Sequence, residues 1–143
     1  MKSTIFLRIA SVLTFIHCVL HTVGGVLGSP KHGQEEITVI DMMKSHSFDM
    51  MGSMRSYWDF FFGYGIFVTI TLFVQAVLFW QLSSIVKAYS AVIKPIILLF
   101  CLSFMVSAVV AWHYFFIGPA VTELLIALCL GATFATASST RSI

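Results

Sequence analysis

Residues 58–82 read WDFFFGYGIFVTITLFVQAVLFWQL, a stretch of mostly aliphatic and aromatic side chains in which only Asp59 is charged. A helix needs about 20 such residues to cross the hydrocarbon core of a bilayer. The apolar residues do not alternate with polar ones, as they would along a strand of a membrane barrel. Because a segment in lipid must satisfy its own backbone hydrogen bonds, we expect a transmembrane helix here.

Three more runs of the same character lie at residues 5–27, 92–117 and 120–137. The first shares with signal peptides the basic residues Lys2 and Arg8 near its start. Its apolar part is too long for a signal peptide and is interrupted by His17 and His21, so we expect a retained helix. The connections after the second and third runs are short, which predicts antiparallel neighbouring helices.

The composition of the whole chain agrees with four such helices. Of 143 residues, 59% are hydrophobic and 10% are charged, and the mean hydropathy is +0.97. A soluble domain has about 25% charged residues, and a chain this short cannot bury so much apolar surface in water. We therefore predict one all-α integral membrane domain over residues 1–143, a bundle of four transmembrane helices. The net charge of +2 gives no reason to expect a nucleic-acid partner.

The polar segment at residues 29–57 is the long connection between the first two runs. Within it, Ile37, Ile40 and Met43 are spaced as one face of a helix, directly after Glu35 and Glu36. This pattern predicts a short amphipathic helix on the membrane surface. The segment also holds five of the seven methionines of the chain. Thioether and imidazole groups suit copper(I), but packing on an amphipathic surface is the commoner role for Met42, Met43, His46, Met50, Met51 and Met54.

Basic residues predict the orientation. Five of the eight lie at the N-terminal end, in the second connection or in the C-terminal tail, namely Lys2, Arg8, Lys87, Lys94 and Arg141. Lys31, Lys44 and Arg55 lie on the other side, together with several acidic residues. Because cytoplasmic segments are enriched in Lys and Arg, we expect both termini in the cytoplasm and the chain in the inner membrane of the cell.

Six ionisable residues within or near the apolar runs all fall in the extracytoplasmic half of this topology: His17, His21, Arg55, Asp59, His113 and Glu123. Such residues usually face the interior of a membrane protein and pair with one another. His17 and His21 are four residues apart and therefore share a helical face. Arg55 and Asp59 have the same spacing, which predicts an ion pair between them. We expect the six to surround one cavity, with a helix 1 histidine facing His113 or Glu123.

This cluster predicts a pocket near the outer leaflet that binds a lipophilic small molecule or a membrane lipid. Imidazole and carboxylate groups can hold a polar head group or transfer a proton. The chain contains no nucleophile elbow, HExxH, Walker or dinucleotide motif, so the sequence does not predict whether a reaction follows. The alternative is a structural or anchor subunit of an oligomer or a larger membrane complex.

Ligation of haem or a metal ion is a further alternative. His17 or His21 from the first helix and His113 from the third can supply two axial ligands to a haem, and Asp59 or Glu123 can join a non-haem site. Histidines are few and an HxxxH spacing on an apolar helix is unspecific, so neither cofactor is favoured. The cysteines lie far apart in apolar runs, where we expect them to be core residues: Cys18, Cys101 and Cys129.

The segments HTVGG, at residues 21–25, and MRSYWDFFFGYG, at residues 54–65, resemble those of a group of uncharacterised small bacterial membrane proteins, loosely similar to the DoxX-like four-helix proteins. The resemblance spans the first two helices and their loop, and the last two helices match in hydropathy alone. It implies the four-helix architecture. The group has no established activity, so no catalytic residue is carried over from it.

Overall fold

A computed structural model describes residues 2–137. In chain order its elements are helix α1 (Lys2–Leu20), a π-helix (His21–Val26), helix α2 (Gln34–Ser45), strands β1 (Ser47–Met50) and β2 (Ser53–Ser56), and helices α3 (Tyr57–Ile85), α4 (Ser90–Tyr114) and α5 (Ile117–Thr136). The chain divides into two compact units. The core unit comprises residues 1–17 and 72–143, and the loop unit comprises residues 18–71.

Four helical segments are long and apolar enough to cross a membrane, namely Lys2–Val26, Tyr57–Ile85, Ser90–Tyr114 and Ile117–Thr136. They correspond to the four predicted runs, with ends that differ from the predicted ones by a few residues. Only 11% of the most apolar part of the second segment is buried within the protein. These segments confirm the predicted all-α class and are compatible with a multi-pass membrane protein.

In the core unit, side chains from all four long helices form one hydrophobic core. Leu7 of α1, Phe79 of α3, Ile97 of α4, and Ile126 and Leu130 of α5 are completely inaccessible. Interiors of this kind are packed as densely as organic crystals, so these large side chains determine how closely the helices approach. The core therefore does not depend on a single pair of helices.

Small residues bring α4 and α5 together. The Sγ atom of Cys101 donates a hydrogen bond to the carbonyl oxygen of Ala127 at 3.3 Å, and a Cβ added at Gly131 would lie 3.6 Å from the same sulfur. Short side chains are what allow such close approach between apolar helices. Of the small residues that follow Glu123 at helical spacing, Ala127 is buried, Gly131 is half-buried and Ala135 is exposed.

In the loop unit, α2 confirms the helix predicted between the first two long segments. Gly33 precedes it with a φ of 89°, in the left-handed region that favours glycine. The Glu36 carboxylate accepts hydrogen bonds from the backbone N–H groups of His32, at 2.7 Å, and Lys31, at 2.6 Å. These two donors, that of His32 foremost, hold the pKa of Glu36 below its ordinary value.

The loop unit also contains a β-hairpin, which the sequence pattern did not predict. Strands β1 and β2 pair antiparallel with Ser47 opposite Ser56. The turn residues Met51 and Gly52 have φ values of 55° and 84°, and two successive positive φ angles are typical of the type I′ turns that close hairpins. The Asp49 carboxylate accepts a hydrogen bond from the Gly52 N–H at 2.9 Å, which holds the turn together.

Aromatic rings join the base of the hairpin to the start of α3. The ring of Phe48 lies parallel to that of Phe60, with centroids 6.0 Å apart, and tilted against that of Tyr57 at 5.0 Å. The ring of His46 stacks on the ring of Tyr57, with centroids 6.2 Å apart. Such ring pairs contribute about 0.5–1.5 kcal/mol each beyond their buried area, so they support a hairpin that has only two short strands.

The core makes a testable prediction about two leucines of α5. Leu130→Ala should lower the free energy of unfolding by about 2 kcal/mol or more, because it leaves a cavity in a packed interior. Leu128→Ala should change it by less than about 0.5 kcal/mol, since that side chain is 60% exposed. Unfolding of the full chain in detergent micelles, titrated with SDS, measures both. Equal losses in the two variants would contradict the described core.

Candidate functional site

The core unit contains a buried ion pair between α1 and α5. The Nδ1 atom of His17 lies 3.3 Å from the Oε1 atom of Glu123, and the two side chains are only 12% and 11% exposed. His17 comes from the last turn of α1, and Glu123 comes from the second turn of α5. The structure thus places His17 next to Glu123, one of the contacts that the sequence led us to expect.

The other carboxylate oxygen of Glu123 has no hydrogen-bond partner within the described residues 2–137. Oε2 is buried, and no hydrogen-bond donor in residues 2–137 lies within reach of it. A buried acceptor left without a donor costs about 1–3 kcal/mol. The pair therefore presents an acceptor that a hydroxyl group, an amine or a water molecule from outside the chain can satisfy.

Nearby hydroxyl groups do not fill this role, because they bond to their own helices. The hydroxyl of Thr14 donates to the carbonyl oxygen of Ala10 at 2.8 Å. The hydroxyl of Thr122, next to Glu123 in the chain, donates to that of Gly118 at 2.9 Å. Hydroxyls in apolar helices commonly bond to the carbonyl four residues earlier. These two hydroxyl groups are therefore not available as donors to Glu123.

An apolar groove of about 370 Å³ lies between α4 and α5 in the same unit. It is lined by Met105, Ala108, Val109, Trp112, Ala120, Val121 and Leu124. Ala120 and Leu124 precede and follow Glu123 in the sequence of α5, and Glu123 itself is not among the lining residues. Its volume falls within the range of about 300–1,000 Å³ found for small-molecule sites. The sequence pattern did not single out this groove, because its lining has no polar residue.

His113 lies apart from the pair. It is exposed in the last turn of α4, and its ring packs edge-on against the ring of Tyr114 with centroids 4.6 Å apart. Within residues 2–137, the structure shows no hydrogen bond or ion pair between His113 and Glu123. We predicted that a histidine of the first helix contacts either His113 or Glu123. In the structure His17 contacts Glu123.

In the loop unit, His21 takes part in a network of hydrogen bonds with α3. Its Nε2 atom lies 3.1 Å from the carbonyl oxygen of Gly65, and because a carbonyl can only accept, Nε2 carries the proton. The next residue, Thr22, shares a hydrogen bond with the hydroxyl of Thr69 at 3.0 Å. Cys18 donates its S–H to the Thr69 carbonyl oxygen at 3.4 Å. His21 is thus held by a backbone carbonyl, next to a hydroxyl pair that joins the same two helices.

Close packing at Gly65 supports this network. A Cβ added at Gly65 would lie 2.8 Å from the Cγ2 atom of Val26, so only glycine permits the observed approach. Neither Gly65 nor Thr69 was singled out in the sequence. Their spacing of four residues was the available signal, since it places both on one face of α3.

Within the described residues, the structure shows no direct ion pair between Arg55 and Asp59, although the two charges are close enough to attract each other. Arg55 lies in strand β2 and donates from Nη1 to the carbonyl oxygen of Met54 at 2.8 Å. Asp59 lies in the first turn of α3 and accepts hydrogen bonds from the Ser56 N–H at 2.8 Å and hydroxyl at 3.0 Å. The prediction assumed one continuous helix, but the helix begins only at Tyr57.

The metal ligands considered above do not form a cluster in the described residues 2–137. Residues 2–137 contain no group of three or more His, Cys, Asp or Glu side chains arranged to hold a metal ion. Among the loop methionines, Met42, Met51 and Met54 are 66%, 99% and 60% exposed, so they contribute little to packing inside the loop unit. Copper(I) binding by these thioethers stays a prediction.

The buried pair can be tested by a double-mutant cycle. His17→Leu and Glu123→Leu should each lower the free energy of unfolding by about 1–3 kcal/mol, because each leaves a buried polar partner alone. The loss of unfolding free energy in the double variant should be at least about 1 kcal/mol smaller than the sum of the two single losses. The reason is that replacing both members of a buried pair by apolar residues is often nearly neutral. SDS unfolding measures all three. His113→Leu is the matched control, and additive losses would contradict the coupling.

Comparison with known proteins assigns no family to this chain. No family model, no curated protein and no solved structure matches it. Function therefore has to be inferred from the side chains themselves. The His17–Glu123 pair is the feature that most clearly needs a further hydrogen-bond partner.

Proposed function

We propose that this chain is a multi-pass protein of the inner membrane in which His17 and Glu123 form the polar end of a binding site for a lipophilic small molecule or a lipid. The observation behind this proposal is the buried Glu123 Oε2 atom, which finds no donor in residues 2–137. The site is expected to lie toward the outer leaflet. The relationship to the DoxX-like four-helix proteins belongs to the same proposal.

The four long apolar helices support the membrane location. Large side chains such as Phe67, Leu99 and Val109 are 68%, 68% and 69% exposed. The largest apolar patch on a typical soluble monomer covers only about 300–600 Å², and such residues recur along every long helix of this chain. A bilayer covers surfaces of this kind without cost, and water does not.

The chemistry of the pair supports a ligand with one hydrogen-bond donor. A hydroxyl or amino group placed at Oε2 satisfies the free acceptor, and His17 at Oε1 keeps the carboxylate oriented. Hydrogen bonds to a charged group contribute about 1.5–3 kcal/mol. The arrangement also suits proton transfer, because an imidazole beside a carboxylate can relay a proton to a bound molecule.

The α4–α5 groove supports a lipophilic body for such a ligand. Its lining is apolar, and Trp112 contributes a large exposed ring at 68% exposure. A ligand with a polar head and an apolar tail matches a carboxylate and an apolar groove that share helix α5. His21, Arg55, Asp59 and His113 stay predicted members of the site.

Mass spectrometry of the purified full chain tests the ligand. Lipophilic molecules extracted from wild-type protein should include one species that is reduced about tenfold or more in Glu123→Leu, the factor expected for losing a hydrogen bond to a charged group. Thr122→Val is the matched control, since its hydroxyl bonds within α5, and it should retain the species.

Other outcomes of that experiment are informative. Identical extracts from wild type and Glu123→Leu would contradict a ligand at the pair. A defined protein that co-purifies, together with identical extracts, would favour the anchor subunit. Soret absorbance of the purified protein would favour haem ligation by histidine.

Reporter fusions test the orientation. A reporter active only in the cytoplasm should be active when fused after Ile143, because five of the eight basic residues lie on the side that includes the two termini. The same fusion with a reporter active only in the periplasm should be silent. The reverse result would move the His17–Glu123 pair to the inner leaflet.

A further inference from the structure

The described part of the core unit, residues 2–17 and 72–137, has more basic than acidic side chains. It contains four basic residues, which are Lys2, Arg8, Lys87 and Lys94, and a single acidic residue, Glu123. Glu123 contacts His17, at the far end of α1. Nine residues of helix separate Arg8 from His17, a rise of about 14 Å, so Glu123 is too distant to neutralise the basic residues.

Contacts between α1 and α3 place the basic residues at one end of the unit. The hydroxyl of Ser11 donates to the carbonyl oxygen of Ala76 at 2.7 Å, and the guanidinium of Arg8 lies 5.1 Å from the ring centroid of Trp80. The start of α1 is therefore next to the end of α3. Lys2 lies at the start of α1, and Lys87 lies in the turn that follows α3.

Helices α4 and α5 extend the same arrangement. The ammonium of Lys94, in the first part of α4, lies 4.8 Å from the ring centroid of Phe134, near the end of α5. The core cluster of the unit includes Leu82, Ile93 and Ala137, which come from these same ends. Four positive side chains thus surround one end of the unit, and no carboxylate in residues 2–17 or 72–137 lies among them.

We infer that this basic end binds the phosphate groups of anionic phospholipids in the adjacent leaflet. This inference rests on the proposed membrane location and not on the His17–Glu123 site. Arg8 is the principal contact, because a guanidinium offers paired N–H donors that match two phosphate oxygens. The ring of Trp80 holds it from one side and is itself 50% exposed. Lys94 is held in the same way by Phe134.

The charge pattern specifies the lipid headgroup. A zwitterionic headgroup brings a cation as well as a phosphate, and four positive side chains without a carboxylate repel that cation. A headgroup with net negative charge meets no such repulsion. Basic residues near a membrane surface are in general attracted to leaflets that contain anionic lipids.

Native mass spectrometry of the full chain in detergent, titrated with palmitoyl-oleoyl phosphatidylglycerol, tests the inference. The double variant Arg8→Gln with Lys94→Gln should bind this lipid about 25-fold more weakly, because each basic residue near an anionic surface contributes about fivefold. The double variant Lys31→Gln with Lys44→Gln, in the loop unit, removes the same charge and should bind like wild type. Palmitoyl-oleoyl phosphatidylcholine should bind weakly to all three.

Three further arms make the result decisive. The variant Arg8→Lys with Lys94→Arg keeps the charge and should bind phosphatidylglycerol within about fivefold of wild type, which separates lost charge from lost folding. Thr122→Val, whose hydroxyl bonds within α5, should bind it like wild type, and failure of the pocket proposal is seen separately in the extracts from Glu123→Leu. Inorganic phosphate should not displace the lipid. Unchanged binding by the Gln variant, or full displacement by inorganic phosphate, would overturn the inference.

Discussion

The structure depends on one constraint, which is that polar groups on the four long helices must find their partners inside the protein. The apolar surfaces around them offer no donors or acceptors, so each unpaired group costs free energy. Thr14 and Thr133 bond to carbonyls of their own helices, and Ser11 bonds across to α3. Within residues 2–137, the Oε2 atom of Glu123 departs from this pattern, as does the Oγ1 atom of Thr4. Of the two, the Glu123 oxygen is the one beside a second ionisable group.

The two histidines near the end of α1 have different chemical roles in spite of their close spacing. His21 uses a ring nitrogen to bond a backbone carbonyl, so its tautomer is set by a group that cannot change protonation. His17 faces a carboxylate, and both members of that pair can gain or lose a proton. Function is therefore more naturally assigned to His17 and stability of the loop unit to His21.

Much of the fold could be predicted, because long apolar runs have few alternatives in an apolar solvent. The four helices and α2 followed from length and helical spacing, and the proximity of His17 and Glu123 followed from pairing of ionisable groups. The hairpin did not, since its two four-residue strands depend on ring contacts at Phe48 and on a turn where only Gly52 hints at positive φ. The missing direct contact between Arg55 and Asp59 has the same origin, because Arg55 belongs to that hairpin.

The π-helix at His21–Val26 alters which side chains can act together. Its hydrogen bond from the Leu27 N–H to the Thr22 carbonyl spans five residues, whereas an α-turn spans four. Consecutive residues of an α-helix diverge around the axis, yet His21 and Thr22 both bond to α3, at Gly65 and Thr69. The additional residue in this turn thus changes the directions in which successive side chains leave the helix axis.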